Sequence, residues 1–495
     1  MRTETKNSIV FYFASFLISL LSVFLIWIQT AKYGINLSPD STVYMKWSQN
    51  ILDNGIKFII TNNDANWPPL YPIIVAAFSK TLNLDPVIFA RHLNCCLIFF
   101  CCLFTITLLK KISQKFSIVF GFFIPWSIPF NFVFSFAWSE PLFIFILLLI
   151  IFSLKKTDYK HMILCGCLTS FAILTRYAGV TIVMTVCLYI FIQKIELAAK
   201  IKKCFCYAFM PTSTYIIYLA RNYYFSKTLM GPRSTSNTGL ISNCNRAFST
   251  VTSWFNGSYS FLFAFLLLVL GAYLYIILVR HNMNFTSLIH SCVKLPETVK
   301  FSFCFILVYS VFIIISSTTT AYNLIDDRLM VPIFPFALII AYFIFSSCNI
   351  LTTPNSNDRF LFKILSGLSL LILLASIVNT LRDTNYRKSH GIYGYHSTFW
   401  QENELVSYLK NHDIIQPEDT VFSNDPFALF LVDRKIDAAR ILNLRYSDFE
   451  RSFLIFFNIP SSLSYSYTEH KKYCEIEKVT ETKDGILYKV GECKK

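Results

Sequence analysis

Charge, glycine and nucleotide-binding motifs are all scarce in this 495-residue chain. Asp, Glu, Lys and Arg make up 15% of it, where an average soluble domain carries about 25%. Hydrophobic residues make up 54%. That excludes a disordered chain, which has little to bury, and a single soluble globular domain. The 14 glycines fall well below the usual share of about 7%, and none builds G-x-x-x-x-G-K-[ST] or G-x-G-x-x-G. A nucleotide-driven pump and a cytoplasmic nucleotide-sugar donor lose support with them. H-E-x-x-H and G-x-S-x-G are absent too, which argues against that class of zinc protease and against an α/β-hydrolase.

The charge that is present is unevenly placed. Residues 382–495 hold 16 Lys+Arg and 17 Asp+Glu, whereas the first 381 hold 28 basic and 12 acidic residues. Apolar runs approaching the ~20 residues that cross a bilayer recur in that first part. They lie at 8–30, 87–109, 116–134, 138–154, 161–175, 177–193, 204–224, 259–279, 301–320, 330–348 and 363–381. The expected architecture is an α-helical polytopic membrane protein of about eleven spans. Residues 1–381 form the membrane module, with a first outer loop at 31–86, and 382–495 form a small α/β domain. The spans 161–175 and 177–193 meet at Arg176 in a tight outer turn or a broken helix.

Basic residues orient the layout. With the N-terminus in the cytoplasm, 17 of the 28 fall in six short cytoplasmic segments, among them Lys110, Lys111, Lys155, Lys156, Lys200, Lys202, Arg280 and Lys294. This is the positive-inside bias, and it places the tail outside the cell. The charge is thus a topology signal, and no nucleic-acid partner follows from it. The first span lacks an A-x-A site after it and reads as an uncleaved anchor. Most of the 15 cysteines lie within spans, as small packing residues. Cys474 and Cys493, in the outer tail, are candidates for a disulfide.

The unusual local sequences all fall on the outer side: Ser38-Pro39-Asp40-Ser41 with Tyr44, Trp67-Pro68-Pro69-Leu70-Tyr71-Pro72, Ser139-Glu140-Pro141-Leu142, Leu174-Thr175-Arg176-Tyr177 and Asp326-Asp327-Arg328. Their shared side predicts one site at the membrane–water boundary. Asp40 opens an amphipathic helix over 41–53, as its N-cap or as a general base. Three prolines predict that 67–72 is a stiff, non-helical segment presenting Trp67 and Tyr71. Glu140 suits a helix N-terminus or a second site carboxylate. Arg176 and Arg328 each need an anionic partner near hydrocarbon, either a carboxylate or a lipid phosphate held by the guanidinium fork. Arg91, His92 and Arg221 are further candidates or interfacial anchors.

In this order and on one face, the motifs resemble the GT-C superfamily of membrane glycosyltransferases. The similar branch contains the dolichyl-phosphate-mannose–protein mannosyltransferases and the aminoarabinose transferases of lipid A. The resemblance spans roughly residues 8–350. It implies Asp40 as catalytic base and Glu140 as a second catalytic carboxylate. Arg176, Arg328 and Arg221 would bind the donor phosphate, and Tyr44, Trp67, Tyr71, Arg91, His92, Tyr177 and Asp327 would line the substrate. Many relatives carry Asp-Glu in the first loop, whereas Ser41 follows Asp40 here; a divalent metal is left open.

The implied reaction is an inverting transfer of a sugar from a polyprenyl-phosphate donor to a glycan, lipid or protein acceptor at the outer face of a plasma membrane, expected to be a bacterial inner membrane. A surface-polysaccharide polymerase or ligase and a non-enzymatic lipid-linked-glycan transporter are the alternatives. In the tail, 419–423, 455–457 and 486–488 read as strands and 426–432 as a helix start.

Overall fold

In a computed structural model of the protein, residues 2–154, 158–254, 295–320, 324–351, 356–441, 451–459 and 474–493 are described. The expected span 259–279 and the basic residues Lys155, Lys156, Arg280 and Lys294 lie outside them. Among the described residues, five helices are long and apolar enough to cross a membrane: Ser8–Gln29, Pro86–Ile112, Glu297–Thr319, Asp327–Ser347 and Ser366–His390. Four further apolar helices are shorter.

Helix α1 (Arg2–Gln29) packs along its neighbour through small residues. Ser15, Ser19 and Ser22 are fully buried there, each hydroxyl bonded to a carbonyl one turn back. Small side chains let helix backbones approach closely, and back-bonding leaves no hydroxyl unsatisfied. Ser19 and Ser22 face Cys102, a packing cysteine as the sequence suggested.

The segment 31–86, expected as the first outer loop, carries α2 (Pro39–Asn54) and α3 (Leu70–Leu82). The amphipathic helix over 41–53 is present, but Ser38 is its cap, accepting from Ser41 N at 3.3 Å. Asp40 is thereby free for another partner. The stiff segment is shorter than expected, because the helix begins at Leu70 and includes Pro72. In the first turn a backbone N–H has no intrahelical acceptor, so proline costs nothing there. Asp85 then caps α4 (Pro86–Ile112) through Val87 N at 2.8 Å.

The expected span 116–134 is not one helix. It divides into Ser117–Gly121 and Ile128–Phe134, since Pro125 and Pro129 interrupt the hydrogen-bond ladder. Asn131 Nδ2 ties the break together by donating to Pro125 O at 2.6 Å and Ser127 O at 3.0 Å. Beyond it, Asn36 N donates to Ser135 O at 2.9 Å and Ala137 N to Asn36 O at 3.0 Å. This parallel strap sets residues 38–40 beside 138–140.

Helices α5 (Glu140–Ser153), α6 (Tyr159–Thr175) and α7 (Val180–Phe191) follow. Arg176 is extended between α6 and one 3-10 turn, Tyr177–Gly179. Gly179 presses on the backbone of Ala172 and Ile173, where a Cβ would stand 2.6 Å from Ile173 N. Of the two alternatives for this break, the structure adopts the tight turn. Next come α8 (Leu197–Ser226), α9 (Leu240–Ser253), α10 (Glu297–Thr319), the short helix Asp327–Met330, α11 (Phe334–Leu351) and α12 (Ser356–His390).

The tail contains α13 (Glu404–His412) and a five-stranded mixed sheet in the order β2-β1-β3-β5-β4. The strands are β1 (Val421–Ser423), β2 (Ala438–Arg440), β3 (Phe453–Phe457), β4 (Cys474–Thr482) and β5 (Gly485–Cys493). The Cys474–Cys493 disulfide joins β4 to β5. Residues 393–396 dock on 35–37: Tyr395 N donates to Leu37 O at 2.9 Å, Asn36 Nδ2 donates to Tyr393 O, and His396 Nδ1 donates to Ile35 O at 2.8 Å.

Candidate active site

Two carboxylates and two arginines converge where residues 38–40 and 138–140 meet the end of α6 and the turn before α11. Arg328 Nη2 lies 2.7 Å from Asp40 Oδ2, and its Nε donates to Glu140 Oε1. Arg176 Nη1 approaches the same Glu140 oxygen at 2.5 Å. Glu140 is wholly buried, whereas the Asp40 side chain keeps 30% of its exposure. Neither carboxylate caps its helix. Both face cations, and the cluster balances in charge, which a buried group of ions requires.

Neighbouring polar groups hold the ions in place. Arg176 Nη1 donates to Ser139 Oγ at 3.2 Å, and Tyr44 Oη lies 3.2 Å from the same hydroxyl. Trp138 Nε1 donates to Ser38 Oγ at 2.7 Å, and its ring faces the Arg328 guanidinium at 4.4 Å. The Tyr44 ring packs edge-on against Tyr71 at 5.3 Å. Burial, reinforced by the nearby Asp40 charge, raises the Tyr44 phenol far above its ordinary range, so it stays neutral. Among the described residues, Glu140 Oε2, Arg176 Nε and Tyr71 Oη are buried with no hydrogen-bond partner. Unsatisfied buried polar atoms are rare in folded proteins, and three around one cluster mark a place suited to a polar ligand.

No protein-family profile matches the sequence, and no curated protein matches it. Solved structures do. ArnT from Cupriavidus metallidurans bound to undecaprenyl phosphate shares 12% identity and a TM-score of 0.55, over 95% of this chain and 97% of its own. The Archaeoglobus fulgidus oligosaccharyltransferase in complex with Zn and sulfate shares 10% and 0.52, over 90% and 68%. The arabinofuranosyltransferase AftD from Mycobacteria shares 11% and 0.53, over 96% of this chain and 40% of that one. The chain has the GT-C fold. The cluster of Asp40, Glu140, Arg176 and Arg328 is set within this shared fold, on the motifs that carried the resemblance.

Other residues expected at the site lie elsewhere in this GT-C fold. Arg221 is held by the backbone, its Nη2 donating to Ile59 O at 2.7 Å and to Asn62 O. It braces the first outer loop and is not beside the other two arginines. Tyr177 Oη donates to Ala65 O at 2.6 Å, and Trp67 O accepts from Tyr218 at 3.0 Å, so both belong to the same brace. Asp327 accepts from Trp254 Nε1 at 2.9 Å. Arg91 and His92 pack on Trp27.

Trp138 and Tyr309 were missed. Tyr309 is buried close to Arg176 and Glu140 and donates to Leu329 O at 2.9 Å; a phenol inside an apolar span was the available signal. A divalent metal does not fit the residues present. Arg328 bridges the two carboxylates and already supplies the positive charge between them. Among the described residues no three His, Cys, Asp or Glu side chains converge.

Proposed function

We propose that the protein is an integral-membrane glycosyltransferase that moves a sugar from polyprenyl phosphate to an acceptor at the outer face of a bacterial plasma membrane. The observation that carries this reading is the bridge of Arg328 between Asp40 and Glu140, with Arg176 on the same glutamate. The similarity to ArnT bound to undecaprenyl phosphate supports the donor class. The basic loops support a cytoplasmic N-terminus and an extracytoplasmic tail from residue 382.

An incoming donor phosphate competes with Asp40 for the Arg328 fork, as guanidinium binds phosphate in two-point fashion. Asp40 is then released to accept the acceptor's hydroxyl proton. The acceptor oxygen bonds to the anomeric carbon as the bond from that carbon to the phosphate oxygen breaks, inverting the centre. Polyprenyl phosphate leaves with the electron pair, and Arg328 and Arg176 stabilise its charge in a partly dehydrated site. Tyr44 and Ser139 hold Arg176 and the loop in place.

The test is mass spectrometry of lipid extracts from cells lacking the protein, complemented with wild type or with Asp40→Asn. A polyprenyl-phosphate sugar accumulates in the null and with Asp40→Asn, and disappears with wild type. If Asp40→Asn restores the wild-type lipid profile, Asp40 is not the base. If no lipid-linked sugar changes in any strain, the transfer reading fails.

A further inference from the structure

A second polar site lies between the N-terminal spans and the tail. It is a cleft of about 820 Å³, and Arg91 lines it at the start of α4. The Arg91 guanidinium stacks on Trp27 near the end of α1, with Cζ 3.8 Å from the ring centre. Its Nε donates to Thr30 Oγ1 at 2.9 Å and its Nη2 to Trp27 O at 3.0 Å, which fixes its plane. The tail contributes Lys410, Arg434 and Lys435. Asp85 and Asp433 are the carboxylates of the lining, leaving two more cations than anions. Asp85 is taken by Arg434 at 2.5 Å and Asp433 Oδ1 accepts from Lys435 N at 2.8 Å, whereas the side-chain ammonium groups of Lys410 and Lys435 make no ion pair among the described residues.

This cleft is separate from the Asp40 cluster. Gln49, which lines it, stands nine positions after Asp40 on α2; at about 100° per residue the two occupy opposite faces of that helix. An exposed apolar surface adjoins the cleft. Val87 and Ile88, with Phe430, Leu431 and Val432 of the tail, are apolar residues of its lining, and Leu20, Phe24, Trp27 and Ile88 are exposed on α1 and α4. Trp27 and Arg91 sit at helix ends on the same side of the bilayer, where indole rings and snorkelling cations collect. A small anion free in water would gain nothing from that apolar surface, whereas a phosphate attached to acyl chains gains from both.

We propose that this cleft binds a membrane lipid whose phosphate headgroup carries net negative charge, with the phosphate on Arg91, Lys410 and Lys435 and the acyl chains against α1 and α4. Because the cations come from both the span and the tail, the bound lipid ties the tail to the membrane module, and its occupancy stabilises that docking. This site stands independently of the transfer reaction.

The test is native mass spectrometry of the full chain, delipidated and then mixed with phosphatidic acid or phosphatidylcholine. Wild type retains phosphatidic acid on the order of tenfold better. Lys410→Gln/Lys435→Gln removes most of this preference while its thermal unfolding without lipid stays unchanged, since both side chains are exposed at the rim. Soluble glycerol phosphate at equal concentration leaves the bound lipid in place. Equal retention of the two lipids overturns the proposal, as does a double variant with wild-type preference. Displacement by glycerol phosphate also overturns it, in favour of a site for soluble phosphate esters.

Discussion

Arg328 and Asp40 meet at 2.7 Å, and this contact joins the first outer loop to the turn that precedes α11. Because Arg328 also holds Glu140, one guanidinium keeps two carboxylates at a fixed separation on the face of Trp138. Removing the cation exposes the carboxylates to mutual repulsion, and replacing it with a point charge removes the fork.

Arg328→Lys keeps the charge and loses the planar two-point contact. A charged hydrogen bond contributes about 1.5–3 kcal/mol, so donor affinity falls on the order of tenfold to a hundredfold. Titration of purified protein with polyprenyl phosphate, followed by native mass spectrometry, measures the loss. Arg328→Ala is expected to bind more weakly still.

Glu140→Gln leaves Arg176 and Arg328 without their shared buried counter-charge. Breaking such a pair costs about 3–5 kcal/mol. The thermal unfolding midpoint drops, and combining Glu140→Gln with Arg176→Met costs less than the sum of the two. A double-mutant cycle on unfolding free energies reads that coupling, and strict additivity would show that the pair does not interact.

His396 makes the tail's docking depend on pH. Burial, aided by Arg434 and Lys410, lowers its pKa to about 4 from an ordinary 6.5, while Ile35 O and Asp85 oppose the shift. The released tail binds a proton below pH 6.5 and the docked one only near 4. Docking is therefore fully stable above pH 6.5 and weakens as pH falls toward 4, by about 3 kcal/mol at most. Limited proteolysis across this range shows the tail released at the acid end. His396→Gln, which still offers a donor to Ile35 O, flattens the profile.

Gly394 is the tightest point of the same interface. Its φ of +125° disfavours any side chain, and a Cβ would stand 2.3 Å from Leu37 O. Gly394→Ala is expected to separate residues 393–396 from the 35–37 strap, raising protease sensitivity of the tail at neutral pH. Gly367→Ala, where a Cβ meets nothing within 4 Å, is the control.

Much of this was legible in the sequence, for a physical reason. Hydrocarbon tolerates few unpaired charges, so the depth of each polar residue is written in local hydropathy. The membrane class and the candidacy of Asp40, Glu140, Arg176 and Arg328 follow from it. Turn chemistry was less legible. The helix start at Leu70 and the break within 116–134 depend on where each proline falls relative to the first turn. Partner choice was not legible at all. Arg91, Arg176, Arg221 and Arg328 look alike in sequence, each basic and near a boundary. Packing brings two of them to Glu140, gives one to the carbonyls of the first outer loop and stacks the last on Trp27. Composition sets how far a cation lies from water, but which carboxylate it meets depends on which helices pack together, and that is settled by contacts between residues far apart in the chain.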